Sequence, residues 1–458
     1  MAICLRLNRF FNDDITLFEI YPCIDAVLPV LPSVGELRPV SVRIPGARNL
    51  IASISDDGRE FLVDAESGPS WLTQCVLDVR NGEVFNTNAH TQWHCDQLMN
   101  AWRNRADRSV HVDVEVVSNC TEIVLLNTID DLYGHSLLKL LNASRHIAAG
   151  GPGLCVLVQR HLRHLVPRGA AEIWTVDIPS SEGVQWFESI EAWVAERFRR
   201  YRRVFLSKCY PHLPPRFYDL ADFVPDCPRP AVLRNHTPVI AFHARDNRLW
   251  GDSVAMQERR LRRLYHELKW RFPNVGLVLI GFHKQCSKPL SWKGWIDLRC
   301  ESISQDIETE WFQVMRHTDC AVGVHGSNLL LPSGLAKTCI ELLPQFKYPV
   351  IGTTFLFKDD FVDPRVPMLT HTHLFGDDQL LEVSPERLAR TIASQFYSES
   401  LVSLFLLSPE STERGTMDAM LSSGKALSSL VTHKPRSLLG HTKERLRQAM
   451  IRLAARLE

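Results

Sequence analysis

DCAVGVHGSNLLLPSGLAKTCIELLP, residues 319–344, is the stretch whose reading decides the fold. Two short apolar runs, 320–324 and 338–343, have the length and composition of strands buried on both faces of a parallel sheet. A turn and a helix-sized insert join them, and His325-Gly326-Ser327-Asn328 stands where the first strand ends. Gly326 lets a ligand approach the backbone, and Ser327 or Asn328 can cap the helix that follows. Its free N–H groups suit an anion, phosphate above all. The same four residues also fit any strand-to-helix turn of a Rossmann-like domain.

Two residues favour the anion. His325 can donate to a phosphate oxygen, and Glu341 falls at the carboxyl end of the second strand. Ligands sit there in open α/β sheets, and an acid there can hold ribose hydroxyls. The His325-Gly326 turn, the apolar insert, Pro332-Ser333-Gly334 and Ile340-Glu341-Leu342 together resemble the signature of glycosyltransferase family sixty-one. In that family a His-Gly-Ala turn and a Val-Ile-Glu-Leu strand form the nucleotide-sugar site. Ser327-Asn328-Leu329 stands where the family more often carries Ala, an apolar residue and Thr-Asn. The resemblance covers residues 120–375 and implies an α/β fold of GT-B type, two Rossmann-like domains facing a cleft. A small N-terminal β-rich extension and a C-terminal helical tail lie outside it.

Composition bounds the alternatives. At 458 residues the chain is long enough for two or three domains, and 45% hydrophobic content lets each bury a core. Lys+Arg and Asp+Glu balance at 52 each, which speaks against nucleic acid as a partner. Twelve cysteines include no Cys-x-x-Cys pair, an argument against structural zinc and a disulfide framework and for a reducing, cytoplasmic setting. The N-terminus lacks the apolar core of a signal peptide, and no window approaches the ~20 apolar residues that span a bilayer. The glycosylation patterns at Asn119 and Asn142 then read as chance matches.

Four regions follow along the chain. Residues 1–118 read as β-rich, with strand-like runs at 61–63 and 71–79, an Asn81-Gly82 hairpin signal, and Val110, Val112, Val114 and Val116 alternating with polar residues. A helix is expected over 92–105; Trp93, His94 and Trp102 on it either stack on an acceptor sugar or pack the helix on the sheet. Residues 119–235 form the acceptor domain, with strands at 123–126, 154–158 and 173–176 and a Leu-rich helix over 133–147. Its first loop carries Asp130, Asp131, Tyr133 and His135. The related family has a similar Tyr-x-His motif ahead of a Leu-rich helix, whereas an Asp-Asp pair before a helix also serves as cap and dipole partner. A Pro-rich linker over 208–236 closes this domain.

Residues 236–400 form the nucleotide-sugar domain. Strands are expected at 239–243 and 275–280, and helices at 252–272 and 311–317. Arg245 and Arg248 follow the first strand, where a guanidinium either grips a diphosphate bidentately or pairs with Asp246 or Asp252. The resemblance favours Arg245, although the family's following Asn-Glu is missing here. Gly281-Phe282-His283 can contact a base or ribose. Residues 401–458 form a Ser-rich tail and a basic amphipathic helix over 443–457. That helix docks on protein or lies on an anionic membrane, which would suit a lipid-linked acceptor.

The resemblance implies an inverting, metal-independent transferase that needs no cofactor beyond its nucleoside diphosphate sugar. The sugar would pass to a hydroxyl of a glycan, lipid-linked or protein acceptor, in the manner of polysaccharide biosynthesis. Asp130, Asp131 and His135 are the candidates for the base. Arg245, Arg248, Gly281, His325, Gly326, Ser327, Asn328 and Glu341 would hold the donor. Two other readings keep the fold: a nucleotide-sugar epimerase, and a non-catalytic glycan-binding or assembly protein.

Overall fold

The computed structural model describes residues 17–406 apart from 27, 31–33, 66–74, 87–91, 107, 142, 209–219, 221–223, 225, 282–293, 302–303 and 351–369. The C-terminal helix, most of the Pro-rich linker, and Phe282 and His283 lie outside the described residues. The chain divides into two units, residues 1–392 and 393–458. No helix among the described residues is long and apolar enough to cross a membrane.

The first strand, β1 (Leu17–Tyr21), precedes an antiparallel meander of β2 (Leu37–Arg43), β3 (Leu50–Ser55), β4 (Glu60–Asp64), β5 (Cys75–Asp78) and β6 (Glu83–Asn86). Asn81-Gly82 closes the last hairpin, but within a longer connection than the dipeptide suggests. Asp78 Oδ1 accepts from the N–H groups of Arg80 (2.9 Å) and Asn81 (3.0 Å), and Gly82 takes φ +66°. Helix α1 (Gln92–Arg103) packs on this sheet. His94 is buried against Arg48 and Trp102 meets Trp186 edge-on at 5.1 Å, so both serve packing, while Trp93 stays exposed.

The first large sheet contains β7 (Val112–Val116), β8 (Glu122–Asn127), β9 (Gly153–Gln159), β10 (Glu172–Val176) and β11 (Arg203–Ser207), in the order β1-β11-β8-β9-β10-β7. Its four inner strands are parallel, with β1 and β7 as antiparallel edges. The valine alternation at 112–116 is thus that of a half-exposed edge strand of this sheet, and residues 37–86 alone make the small one. The two sheets are tied at the Asn127 amide, which donates to Gly46 O and Asn49 Oδ1, both at 2.9 Å. The Leu-rich stripe after β8 is carried by two helices, α2 (Tyr133–Leu141) and α3 (Ala143–Ala149), where one was expected. Helix α4 (Glu188–Phe198) leads into β11.

The second sheet is parallel throughout, in the order β14-β13-β12-β15-β16-β17. Its strands are β12 (Val239–His243), β13 (Gly276–Ile280), β14 (Ile296–Asp297), β15 (Cys320–Val324), β16 (Thr338–Pro344) and β17 (His371–Gly376). Every residue of β12, β13, β15 and β16 is buried, as the apolar runs require. Helix α5 (Val254–Arg271) is capped by Ser253, and α6 (Gln305–Arg316) by Ser304, whose hydroxyl accepts from Ile307 N–H at 3.3 Å. This cap starts α6 well before Trp311, where apolar spacing alone placed it. The insert after β15 is a 3-10 turn over Ser327–Leu329 followed by the short α7 (Leu330–Leu335), and α8 (Pro385–Leu406) follows β17.

Numbered along the chain, the second sheet reads 3-2-1-4-5-6, the Rossmann order, and the parallel core of the first reads 3-2-1-4. Two such domains give the GT-B type of α/β fold. Their cores run together: Leu137, Leu138 and Leu141 of α2 belong to one buried cluster with Trp311, Met315, Leu330 and Leu331. At about 1.5–3 kcal/mol for each fully buried apolar side chain, this contact far outweighs the exposed ion pairs at roughly 0–1 kcal/mol. The fit is close at one point. A methyl group on Gly134 would lie 2.4 Å from Ser327 Cβ, so the first turn of α2 rests directly on the turn after β15.

Candidate functional site

Strand order reverses between β12 and β15, and ligands of open α/β sheets bind at that point, beyond the carboxyl ends of the strands. The two loops flanking it are residues 244–250 and 325–329. The first is clamped by Gln257 of α5, whose Oε1 accepts from Trp250 N–H (2.9 Å) and whose Nε2 donates to Arg245 O (3.3 Å). The buried Trp250 indole donates to Val383 O at 2.8 Å. A loop held this firmly aims its side chains.

It aims Arg245 and Arg248 at Gly326. Arg248 Nη1 donates to His325 O at 2.6 Å. A methyl group on Gly326 would lie 2.3 Å from Arg248 Nη1 and 3.2 Å from Arg245 Nη1. Gly326 also has φ +155°, so neither the backbone nor the space around it admits a side chain. Neither guanidinium forms an ion pair with a carboxylate among the described residues. Burial, and then the charge of Arg248, pull Arg245 down to about 10; burial alone pulls Arg248 down. Lys347, just past β16, is lowered by burial and then by the charge of Arg248. Sequence reasoning missed Lys347, whose one signal was its place after a buried strand.

The turn itself differs from expectation in two respects. Gly326 is the cap residue and no side chain caps the turn; Leu329 N–H bonds to Gly326 O at 2.9 Å instead. Ser327 is occupied by its packing on Gly134, and both amide atoms of Asn328 are buried with no hydrogen-bond partner among the described residues. Glu341 is buried, with Oε1 2.8 Å from His325 Nδ1 and Oε2 3.1 Å from His373 Nε2. It therefore orients two imidazoles, where a ribose contact was expected, because a buried carboxylate needs such partners. His325 keeps Nε2 as its remaining polar atom. Gly281 has φ +126°, and a methyl group there would sit 2.0 Å from Ala244 O, so its first role is to let β13 pass the clamped loop.

On the first domain the three base candidates separate. Asp130 is buried, 2.8 Å from Lys139 Nζ and 3.4 Å from His135 Nδ1. Burial alone would raise its pKa, but Lys139 and His135 hold it well below the carboxylate range, so it is a fixed anion and a poor base. Its neighbour Asp131, half-buried, is pushed up to about 6 by burial and then by Asp130. His135 is bound up with Asp130.

Between the domains lies a cavity of about 110 Å³, lined by Tyr133 from the first and by His243, Arg245, Gly281, Glu308 and Asn328 from the second, among others. Tyr133 OH donates to Glu308 Oε1, and His164 Nε2 lies 3.1 Å from Glu308 Oε2. His243 and Glu308 were not singled out in the sequence. His243 showed itself only as a polar residue ending an apolar strand, and Glu308 looked like an ordinary acid in the first turn of a helix.

No family model matches the sequence, and no curated protein is similar to it. Solved structures that resemble the chain include the E. coli ADP-heptose LPS heptosyltransferase II, at 11% identity over 61% of this chain and 99% of that one, with a TM-score of 0.37. The iron-containing dodecameric glycosyltransferase TibC of enterotoxigenic E. coli matches at 10% identity over 83% and 99%, with a TM-score of 0.35. The glycosyltransferase SnogD of Streptomyces nogalater matches at 11% over 62% and 100%, with a TM-score of 0.29. At scores this low the likenesses decide nothing, and the fold rests on the two strand orders.

The raised Asp131 pKa penalises its charged form in the fold. That penalty is absent below about pH 4, where the carboxyl is neutral folded and unfolded, and complete above about pH 6. Asp131→Asn is therefore expected to raise stability above pH 6 by on the order of 1 kcal/mol, a size set by the solvent screening of a half-buried group. Below pH 4 it should change nothing; thermal unfolding across this range checks both.

Proposed function

We propose that this protein is a glycosyltransferase that moves a sugar from a nucleoside diphosphate sugar to a hydroxyl acceptor. The observation that carries the reading is the pair Arg245 and Arg248, side by side over the bare backbone of Gly326 at the topological switch point, with no carboxylate ion pair to either among the described residues. Like charges so placed, and partly buried, repel each other and lose hydration. A bound diphosphate removes both costs, and a planar guanidinium can take two of its oxygens at once.

The reaction on this reading is a single in-line displacement with inversion. The acceptor oxygen attacks the anomeric carbon and gives its proton to a base as the bond to the donor phosphate breaks. Negative charge then gathers on the leaving diphosphate, where Arg245, Arg248 and Lys347 supply the stabilising charge. This is the task a metal performs in other transferases, so the reading requires neither metal nor cofactor. Asp131 is the base: a carboxyl titrating near 6 is ionised at neutral pH yet more basic than an ordinary aspartate. Asp130 positions it and His135 completes the charge cluster. The acceptor is a glycan, lipid-linked or protein hydroxyl, reached from the cytoplasm; for a lipid-linked one, the basic sequence over 443–457 would suit an anionic membrane surface.

Thermal unfolding with UDP, GDP, CMP and ADP, each with magnesium and with EDTA, tests the donor site. One nucleotide at about a hundred times its dissociation constant should add ~2.7 kcal/mol, a shift of a few degrees that survives EDTA. The double variant Arg245→Ala, Arg248→Ala should abolish it. No shift with any nucleotide would overturn the reading, and binding without turnover on any acceptor would favour an assembly protein.

Asp131→Ala should lower turnover by about 10²–10⁴, and the parent's kcat/KM should rise with pH through about 6. Turnover within a few-fold of the parent would remove Asp131 from the role.

A further inference from the structure

The cavity behind the arginines holds more unsatisfied polarity than an anion site uses. Among the described residues, His243 Nε2 and both amide atoms of Asn328 are buried without a hydrogen-bond partner. Both side chains line this one cavity. Each such orphan destabilises the fold unless something supplies its partner.

The chemistry of that partner can be read from the walls. Neutral imidazole offers one donor and one acceptor, and the Asn328 amide offers both. Burial pulls His243 down to about 3, so it stays neutral at any physiological pH. The rest of the lining includes the apolar Trp311, Phe312, Met315 and Leu331. A lining that mixes polar groups with aromatic and aliphatic ones suits a pyranose, whose hydroxyls take hydrogen bonds while its C–H face packs on apolar groups. Arg245 lines the same cavity, so a group covalently attached to the bound phosphate would enter it. At about 110 Å³ it is smaller than the roughly 300–1,000 Å³ of sites that take a whole ligand, which fits one moiety of the donor.

The charge of the cavity is also informative. Glu308 is its acid, 2% exposed, with Tyr133 OH on Oε1 and His164 Nε2 3.1 Å from Oε2. A carboxylate carried on the sugar would lie beside this buried acid and lose much of its hydration. We propose that this cavity is the donor-sugar subsite, with His243 and Asn328 bonding the sugar hydroxyls, and that Glu308 makes it select uncharged sugars over uronic acids. The inference rests on the transferase reading.

Sugar 1-phosphates test it without knowledge of the base. Calorimetric titrations would compare inorganic phosphate and pyrophosphate with the 1-phosphates of glucose, galactose, mannose, N-acetylglucosamine and fucose, and with those of glucuronic and galacturonic acid. At least one neutral sugar 1-phosphate should bind tenfold or more tightly than phosphate, and at least tenfold more tightly than either uronic acid 1-phosphate. Asn328→Ala should remove that gain while leaving pyrophosphate affinity within about twofold, and Glu308→Gln should narrow the gap to the uronic acids. No neutral sugar bound better than phosphate, or uronic acids bound equally well, would overturn the subsite. These comparisons use the parent protein and so do not depend on the variants folding. Failure to bind pyrophosphate at all would instead overturn the anion site, and with it the transferase reading.

Discussion

Repulsion between two guanidinium groups is the constraint on which the rest of this structure depends. Arg245 and Arg248 converge on Gly326 and neither is neutralised by a carboxylate ion pair among the described residues. Such an arrangement persists only because other parts of the fold enforce it. The Gln257 clamp fixes the loop, the buried Trp250 indole fixes its far end, and the Arg248 bond to His325 O ties it to the next strand. The fold holds the charges in place in advance, so a ligand anion need not pay to gather them.

The same region couples the two domains. The first turn of α2 lies on the turn after β15 at van der Waals contact, backed by a leucine-rich core shared by both sheets. Tyr133 makes the link polar as well, donating from the first domain to Glu308 of the second. A cavity of about 110 Å³, lined by residues of both sheets' elements, lies beside this contact.

Much of this was legible in the sequence because buried parallel strands announce themselves as unbroken apolar runs, and the runs at 239–243, 276–280, 320–324 and 338–344 are all strands of the second sheet. Their order, and so the switch point, becomes visible only in three dimensions. Arg245, Arg248 and Gly326 were identifiable from their places after strands. The role of Glu341 was not, because its second partner His373 comes from a separate strand, and spacing within one strand cannot show it. Nor could the doublet Asp130-Asp131 be split by eye. What separates the two is Lys139, a buried lysine on the following helix that neutralises one carboxylate and leaves the other beside a fixed negative charge. Edge strand β7 was assigned to the wrong sheet for a similar reason, since alternation shows that one face is wet but not which neighbour a strand pairs with.

The most direct test of the central claim is a crystal structure of the protein soaked with the nucleoside diphosphate that binds it. The account predicts phosphate density between Arg245 and Arg248, within hydrogen-bond reach of the backbone at Gly326, with the ion on the carboxyl side of β12 and β15. Phosphates bound elsewhere, with the two guanidinium groups still facing each other across Gly326, would contradict it.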